Sequence, residues 1–237
     1  MNPTTVRPTW SVGEHRLSGT RDGTTAALDP ACPADGLAVG PSGGAACRLL
    51  AVDLGAAPAL IDHWVRGDDV VAVYEPADAR RLRTTAMWRW LESGVAAPAG
   101  IAAWMVVVSA QTALLDSDPR IAVDSRIPGN CVRWAASTAT PPRWRVGADP
   151  VANAALVRGP DQRSVLIAVH PADRRSFTVG IAPDRVTVRC GLFSGRVEKG
   201  VLLRGRVLAA VGPTAGDDAW AVRLLDHLDA EPPPLTA

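Results

Sequence analysis

From residue 48 onward the chain is a succession of short apolar runs, each closed by Pro, Gly or Asp, and this pattern restricts the fold more than anything else in it. The runs are Arg48–Leu54, Leu60–Arg66, Asp69–Glu75, Ile101–Ala110, Arg120–Ser125, Cys131–Ala136, Ser164–His170, Phe177–Ile181, Arg185–Cys190 and Val201–Val211. Their lengths suit strands rather than helices, and regular strand–turn alternation is the signature of an antiparallel sandwich or barrel. Arg66-Gly67-Asp68-Asp69 and Ile181-Ala182-Pro183-Asp184-Arg185-Val186 supply hairpin turns between neighbouring runs. Val201–Val211 is the cleanest strand. Val201, Leu203, Val207, Ala209 and Val211 share one face by the period of two, while Arg204 and Arg206 share the other with Leu202 and Leu208.

After Pro213 the period changes. Trp220, Leu224 and Leu228 recur every fourth residue over Asp217–Asp229, with Ala221 and Leu225 beside them, which predicts one amphipathic helix packed on a sheet. Asp217 and Asp218 in its first turn suit the helix dipole. Residues 77–91 fit either a helix begun by Pro76 or a strand. The paired threonines and tryptophans favour the strand, with Leu82, Thr84, Ala86, Trp88 and Trp90 on one face. Residues 1–47 are expected to be an N-terminal strand followed by a long, partly mobile loop rich in Gly, Pro and Ala, ahead of a single β-sandwich domain over 48–237.

Composition excludes several function classes. A net charge of +1 gives no electrostatic case for nucleic acid. No apolar stretch reaches membrane-span length, and the N-terminus has no signal-peptide pattern, so a soluble, cytoplasmic protein is expected. Cys32, Cys47, Cys131 and Cys190 show no metal-ligand spacing, so free thiols and no metal or cofactor are expected. Lys199 is the only lysine among 25 basic residues, a bias that a GC-rich genome explains. The nucleotide-binding, hydrolase and zinc-protease motifs are all missing.

Three stretches remain as candidate chemistry. The densest is 62–91, which holds His63, Trp64, Arg66, Tyr74, Glu75, Arg81, Arg83, Trp88 and Arg89. Arginines alternating with aromatics on a sheet could stack on a sugar ring and hydrogen-bond its hydroxyls, although the ordinary inside–outside rule sends tryptophans to the core instead. The second is 196–206, with Glu198, Lys199, Arg204 and Arg206, which also reads as an exposed turn and strand. The third is the Asp116-Ser117-Asp118-Pro119 segment, whose chemistry is that of a turn.

The blocks VSAQTALLDSDP (108–119) and FSGRVEKGVLLRGRV (193–207), set among many strands, resemble an uncharacterised family of β-rich bacterial proteins. More loosely, the strand-rich architecture is similar to the galactose-mutarotase-like β-sandwiches, although the histidine motifs of the mutarotases are missing here. The fold expected is therefore mainly β, an antiparallel β-sandwich with one C-terminal α-helix. Three functions fit it: a saccharide- or small-ligand-binding module using Arg66, Tyr74, Arg81, Trp88, Arg89, Lys199, Arg204 and Arg206; an epimerase-type carbohydrate enzyme drawing acid and base from Glu75, Glu198, His63 and His170; or a non-catalytic structural or interaction protein. The sequence leaves the choice, and the oligomeric state, open.

Overall fold

The computed structural model describes residues 10–13, 16–21, 23–41, 47–55, 58–76, 82–92, 100–136, 144–147, 150–193 and 195–230. Its strands, in chain order, are β1 (Ser11–Val12), β2 (Leu17–Arg21), β3 (Thr24–Leu28), β4 (Leu37–Pro41), β5 (Cys47–Asp53), β6 (Pro58–Arg66), β7 (Asp69–Pro76), β8 (Leu82–Trp90), β9 (Ala102–Thr112), β10 (Ala122–Pro128), β11 (Cys131–Ala135), β12 (Arg145–Val146), β13 (Ala154–Arg158), β14 (Arg163–Val169), β15 (Ser176–Ile181), β16 (Arg185–Gly191) and β17 (Leu202–Pro213). Helix α1 (Asp217–Ala230) follows. The first sheet runs β1-β2-β3-β4-β5-β10-β16-β15 and the second β12-β11-β13-β14-β17-β9-β8-β7-β6, with neighbours antiparallel throughout. Neither sheet closes on itself, so the architecture is the expected sandwich.

Alternation along each strand sorts the side chains into three layers. Between the sheets lie Leu28, Leu37, Leu49, Val52 and Ile127 of the first sheet and Tyr74, Trp88, Trp104, Val106, Val165 and Val207 of the second. At one end of this core Trp10, Trp90 and Trp104 pack ring on ring, with centroids 5.6 and 5.0 Å apart. The outer face of the second sheet forms a smaller core, where Trp220, Ala221, Leu224, Leu225 and Leu228 of α1 cover Met105, Leu156, Leu166, Leu208 and Ala210. The predicted division of β17 holds from Leu203 onward, with Leu203, Val207, Ala209 and Val211 facing the inter-sheet core and Leu208 and Ala210 facing the helix, whereas Val201 lies before the strand and is exposed.

Residues 82–90 take the strand option, with the predicted face buried and Arg83, Thr85 and Arg89 on the other side. The expected long loop needs correction. Between residues 22 and 47 the chain forms β3, a 3-10 turn at Pro33–Asp35 and β4. Apart from Thr24-Thr25, the Ala, Gly and Pro of Thr24–Leu28 and Leu37–Pro41 have weak strand propensity, but β2 and β5 pair with these stretches and bury Ala26, Leu28, Leu37 and Val39. Strand β13 was likewise invisible in its Ala-rich sequence.

Candidate functional site

The outer face of the second sheet, where α1 leaves it uncovered, gathers much of the chemistry anticipated from sequence. Cross-strand register sets Trp64 beside Val71 on one row and Arg66 beside Asp69 and Arg89 on the next. A third row runs Val73, Thr85, Ser109 and Arg204. Most of these groups already have partners. Arg89 donates to both oxygens of Asp69, at 2.6 and 2.8 Å. Arg204 Nε donates to Ser109 Oγ at 3.2 Å. Arg83 lies 3.6 Å from Glu75 in an exposed pair. Arg206 is 3% exposed and pairs with Asp173 at 3.3 Å. The surface is polar and occupied with its own ion pairs.

The remaining predicted residues scatter. Glu198 and Lys199 stand exposed in the turn before β17. His170 begins the turn after β14, its Nδ1 accepting from the Ala172 amide. His63 lines a separate cavity with Arg16, Leu17 and Pro30. Asp116 and Asp118 pair with Arg196 and Arg120, as a surface turn would. Arg81 lies outside the described residues. The four groups considered for acid–base work therefore occupy different places, and the structure does not bring them to one site.

Tyr74 and Trp88 correct the sequence reading most instructively. Both are fully buried between the sheets, so neither offers a ring to a ligand from the surface. Each instead reaches across the core with its polar atom: Tyr74 Oη donates to the carbonyl of Pro30, in the turn after β3, at 2.7 Å, and Trp88 Nε1 donates to the Leu50 carbonyl of β5 at 3.0 Å. Burial pushes the Tyr74 phenol well above its ordinary range, keeping it a donor.

Leu50 is the reason Trp88 matters. It is buried with φ +56°, a left-handed conformation uncommon for leucine. The β5–β10 register slips there, because Asp124 faces Ala51 but Arg126 faces Arg48, leaving one extra residue on β5. This is a β-bulge, and side chains satisfy its backbone: the Leu50 amide donates to buried Ser125 Oγ at 3.1 Å, and its carbonyl accepts from Trp88.

Over this bulge, on the outer face of the first sheet, lies a cleft of about 230 Å³ lined by Ala34, Asp35, Arg48, Ala51, Asp53, Asp124 and Arg126. Gly36 (φ +61°) lets the 3-10 turn form its wall; a Cβ there would meet the Leu49 carbonyl oxygen at 2.5 Å. One side of the cleft is acidic. Arg189 clamps Asp53 at 2.7 Å and Asp124 at 2.6 Å, so a single guanidinium serves two carboxylates. Burial raises the Asp124 carboxyl above its usual range, with Arg189 opposing the shift and Asp53 adding to it. On the other side Arg48 and Arg126 face each other directly across the strands, and neither has an ion-pair partner within 4 Å among the described residues. Like charges opposed in this way destabilise a sheet.

Sequence reading missed this cluster because its members span residues 35 to 189 and meet only through non-local pairing. One signal was present: the Leu49-Leu50 doublet breaks the alternation of β5 where the bulge falls. Among the described residues no three His, Cys, Asp or Glu side chains converge as metal ligands. No helix there is long and apolar enough to cross a membrane.

No family model and no curated protein matches the chain. Solved structures do. A mutant of the heparan sulfate lyase HepC from Pedobacter heparinus superposes with a TM-score of 0.50 and 9% identity, over 89% of this chain and 37% of that one. A candidate aldose 1-epimerase from Klebsiella pneumoniae gives 0.48 and 8%, over 93% and 86%. A candidate mutarotase (YeaD) from Salmonella typhimurium gives 0.46 and 9%, over 90% and 96%. At such identities the likeness is one of fold alone.

Proposed function

We propose that the protein binds a small saccharide acid in the cleft on the first sheet. The observation that carries this reading is the opposed pair Arg48–Arg126 beside the Arg189-clamped carboxylates Asp53 and Asp124. Two arginines at facing register positions in one cleft suit a carboxylate, which bridges them and relieves their repulsion. Carboxylates held by their own arginine remain acceptors for hydroxyl groups. The lining carries no aromatic ring, so an apolar ligand body gains nothing there. The volume falls below the roughly 300–1,000 Å³ of sites for drug-sized ligands, which suits a monosaccharide. The ligand class rests on these side chains, since the fold likeness identifies none.

Calorimetric titration with D-glucuronate and D-glucose tests the reading. Glucuronate is expected to bind at least roughly tenfold more tightly, because the bond to a charged group contributes about 1.5–3 kcal/mol. Equal or undetectable binding of both sugars would remove the proposal. The same samples, followed by NMR in deuterated water, separate binding from an epimerase-type activity. Asp124, with its raised carboxyl in the cleft, is the group best suited to proton transfer. A binding protein leaves the hydrogen beside the sugar carboxylate unexchanged, whereas an enzyme washes deuterium into it.

A further inference from the structure

Strand β6 ends the second sheet and is nine residues long, with Ile61 53% and Trp64 42% exposed. An edge of that length and character is a template for another strand. Two devices shorten the usable part: Pro58 begins the strand, and a register shift between Leu60 and Asp62 bulges it at Ile61. What remains is Asp62-His63-Trp64-Val65-Arg66.

The hairpin fixes which backbone groups point outward. Arg66 and Asp69 flank a two-residue turn with Gly67 at φ +59°, so Arg66, Trp64 and Asp62 direct their hydrogen-bonding groups toward β7. His63 and Val65 direct theirs to the open edge. Asp62, Trp64 and Arg66 project from one face, at register positions beside Val73, Val71 and Asp69. We infer that β6 pairs antiparallel with β6 of a second copy of this chain, about a two-fold axis at Trp64.

In that register His63 exchanges hydrogen bonds with the partner copy's Val65, and Trp64 lies against its own counterpart. Asp62 faces the partner copy's Arg66, twice by symmetry. The adjacent registers that keep the outward groups matched centre on His63 or on Val65. The first sets Asp62 against Trp64, and the second sets Trp64 against Arg66; neither pairs the charges. Charge complementarity therefore selects one alignment out of three, and the result is isologous.

Sedimentation equilibrium on the full chain, from micromolar to near-millimolar concentration, tests this. The wild type is expected to show a reversible dimer. Asp62→Arg and Arg66→Asp, each alone, place like charges in contact twice and weaken it roughly tenfold or more. The double exchange restores it. Asp62→Asn, which keeps the size and removes the charge, gives a smaller loss and stands in for the swap if Asp62→Arg perturbs folding. A chain monomeric throughout the range, a dimer indifferent to the single changes, or a double exchange that fails to restore association would each overturn the inference.

Discussion

Replacing Asp217 by alanine is expected to lower the unfolding free energy by about 3–5 kcal/mol, the usual effect of removing one member of a buried charge network. Asp217 sits in the first turn of α1 with its side chain 3% exposed. Arg158 Nε donates to its carboxylate at 2.9 Å, Ser164 Oγ donates at 2.7 Å, and Arg133 lies 2.8 Å away. These partners come from β13, β14 and β11, so one carboxylate ties the start of the helix to three strands. The Trp220 indole, which donates to the Pro213 carbonyl, fixes the same end of the helix. In a chain of this size the loss corresponds to a fall in melting temperature of roughly 6–20 °C. A change within a degree or two would show that the helix is held by its apolar face alone.

The same residue sets a pH dependence. Burial alone would raise the Asp217 carboxyl, but hydrogen bonds from Arg158 and Ser164 and the neighbouring charge of Arg133 outweigh it and hold the group at about 2. A folded-state value below the unfolded one means the contribution is complete above about pH 4. It disappears as pH falls toward 2, and amounts to about 2–3 kcal/mol. Urea titrations across that window are expected to show the drop in the wild type and to miss that component in Asp217→Asn.

Trp88 carries the second large effect. Trp88→Ala empties a fully buried site and is expected to cost about 3–5 kcal/mol. Trp88→Phe keeps most of the packing and removes the indole N–H, leaving the Leu50 carbonyl without that donor, at about 1–3 kcal/mol. The second substitution is the informative one. Leu50 holds a left-handed conformation over which the Arg48, Asp124 and Arg126 positions are arranged. Relaxing the bulge shifts Arg48 relative to Arg126, so Trp88→Phe is expected to weaken glucuronate binding although Trp88 does not line the cleft. Unchanged affinity alongside the stability loss would mean that the cleft does not depend on the bulge.

How far the chain could be read beforehand followed from where the information lies. Val201–Val211 announced both of its faces because alternation is local, and 217–229 announced its helix for the same reason. Residues 82–90 showed both periods, and burial of Trp88 and Trp90 between the sheets selected the strand. Thr24–Leu28 and Leu37–Pro41 could not be seen, because beyond Thr24-Thr25 their Ala, Gly and Pro residues become strand residues only through the neighbours that pair with them. Tyr74 and Trp88 point inward: their polar atoms bond the Pro30 and Leu50 carbonyls across the core. Arg48, Asp124, Arg126 and Arg189 carry no local signal, because single outward charges are ordinary on alternating strands. Only the slipped register of β5 on β10 sets two arginines opposite each other next to two clamped carboxylates.

That opposition supplies the most direct measurement, made on Arg126→Gln. If Arg126 is kept for a ligand, its removal relieves repulsion from Arg48, and the folded protein is expected to gain about 0.2–1 kcal/mol. Glucuronate binding is expected to fall roughly 10- to 100-fold, the effect of losing a hydrogen bond to a charged group. Stability and affinity thus move in opposite directions. A variant that is less stable than the wild type and binds glucuronate equally well would contradict the assignment of the cleft as a binding site.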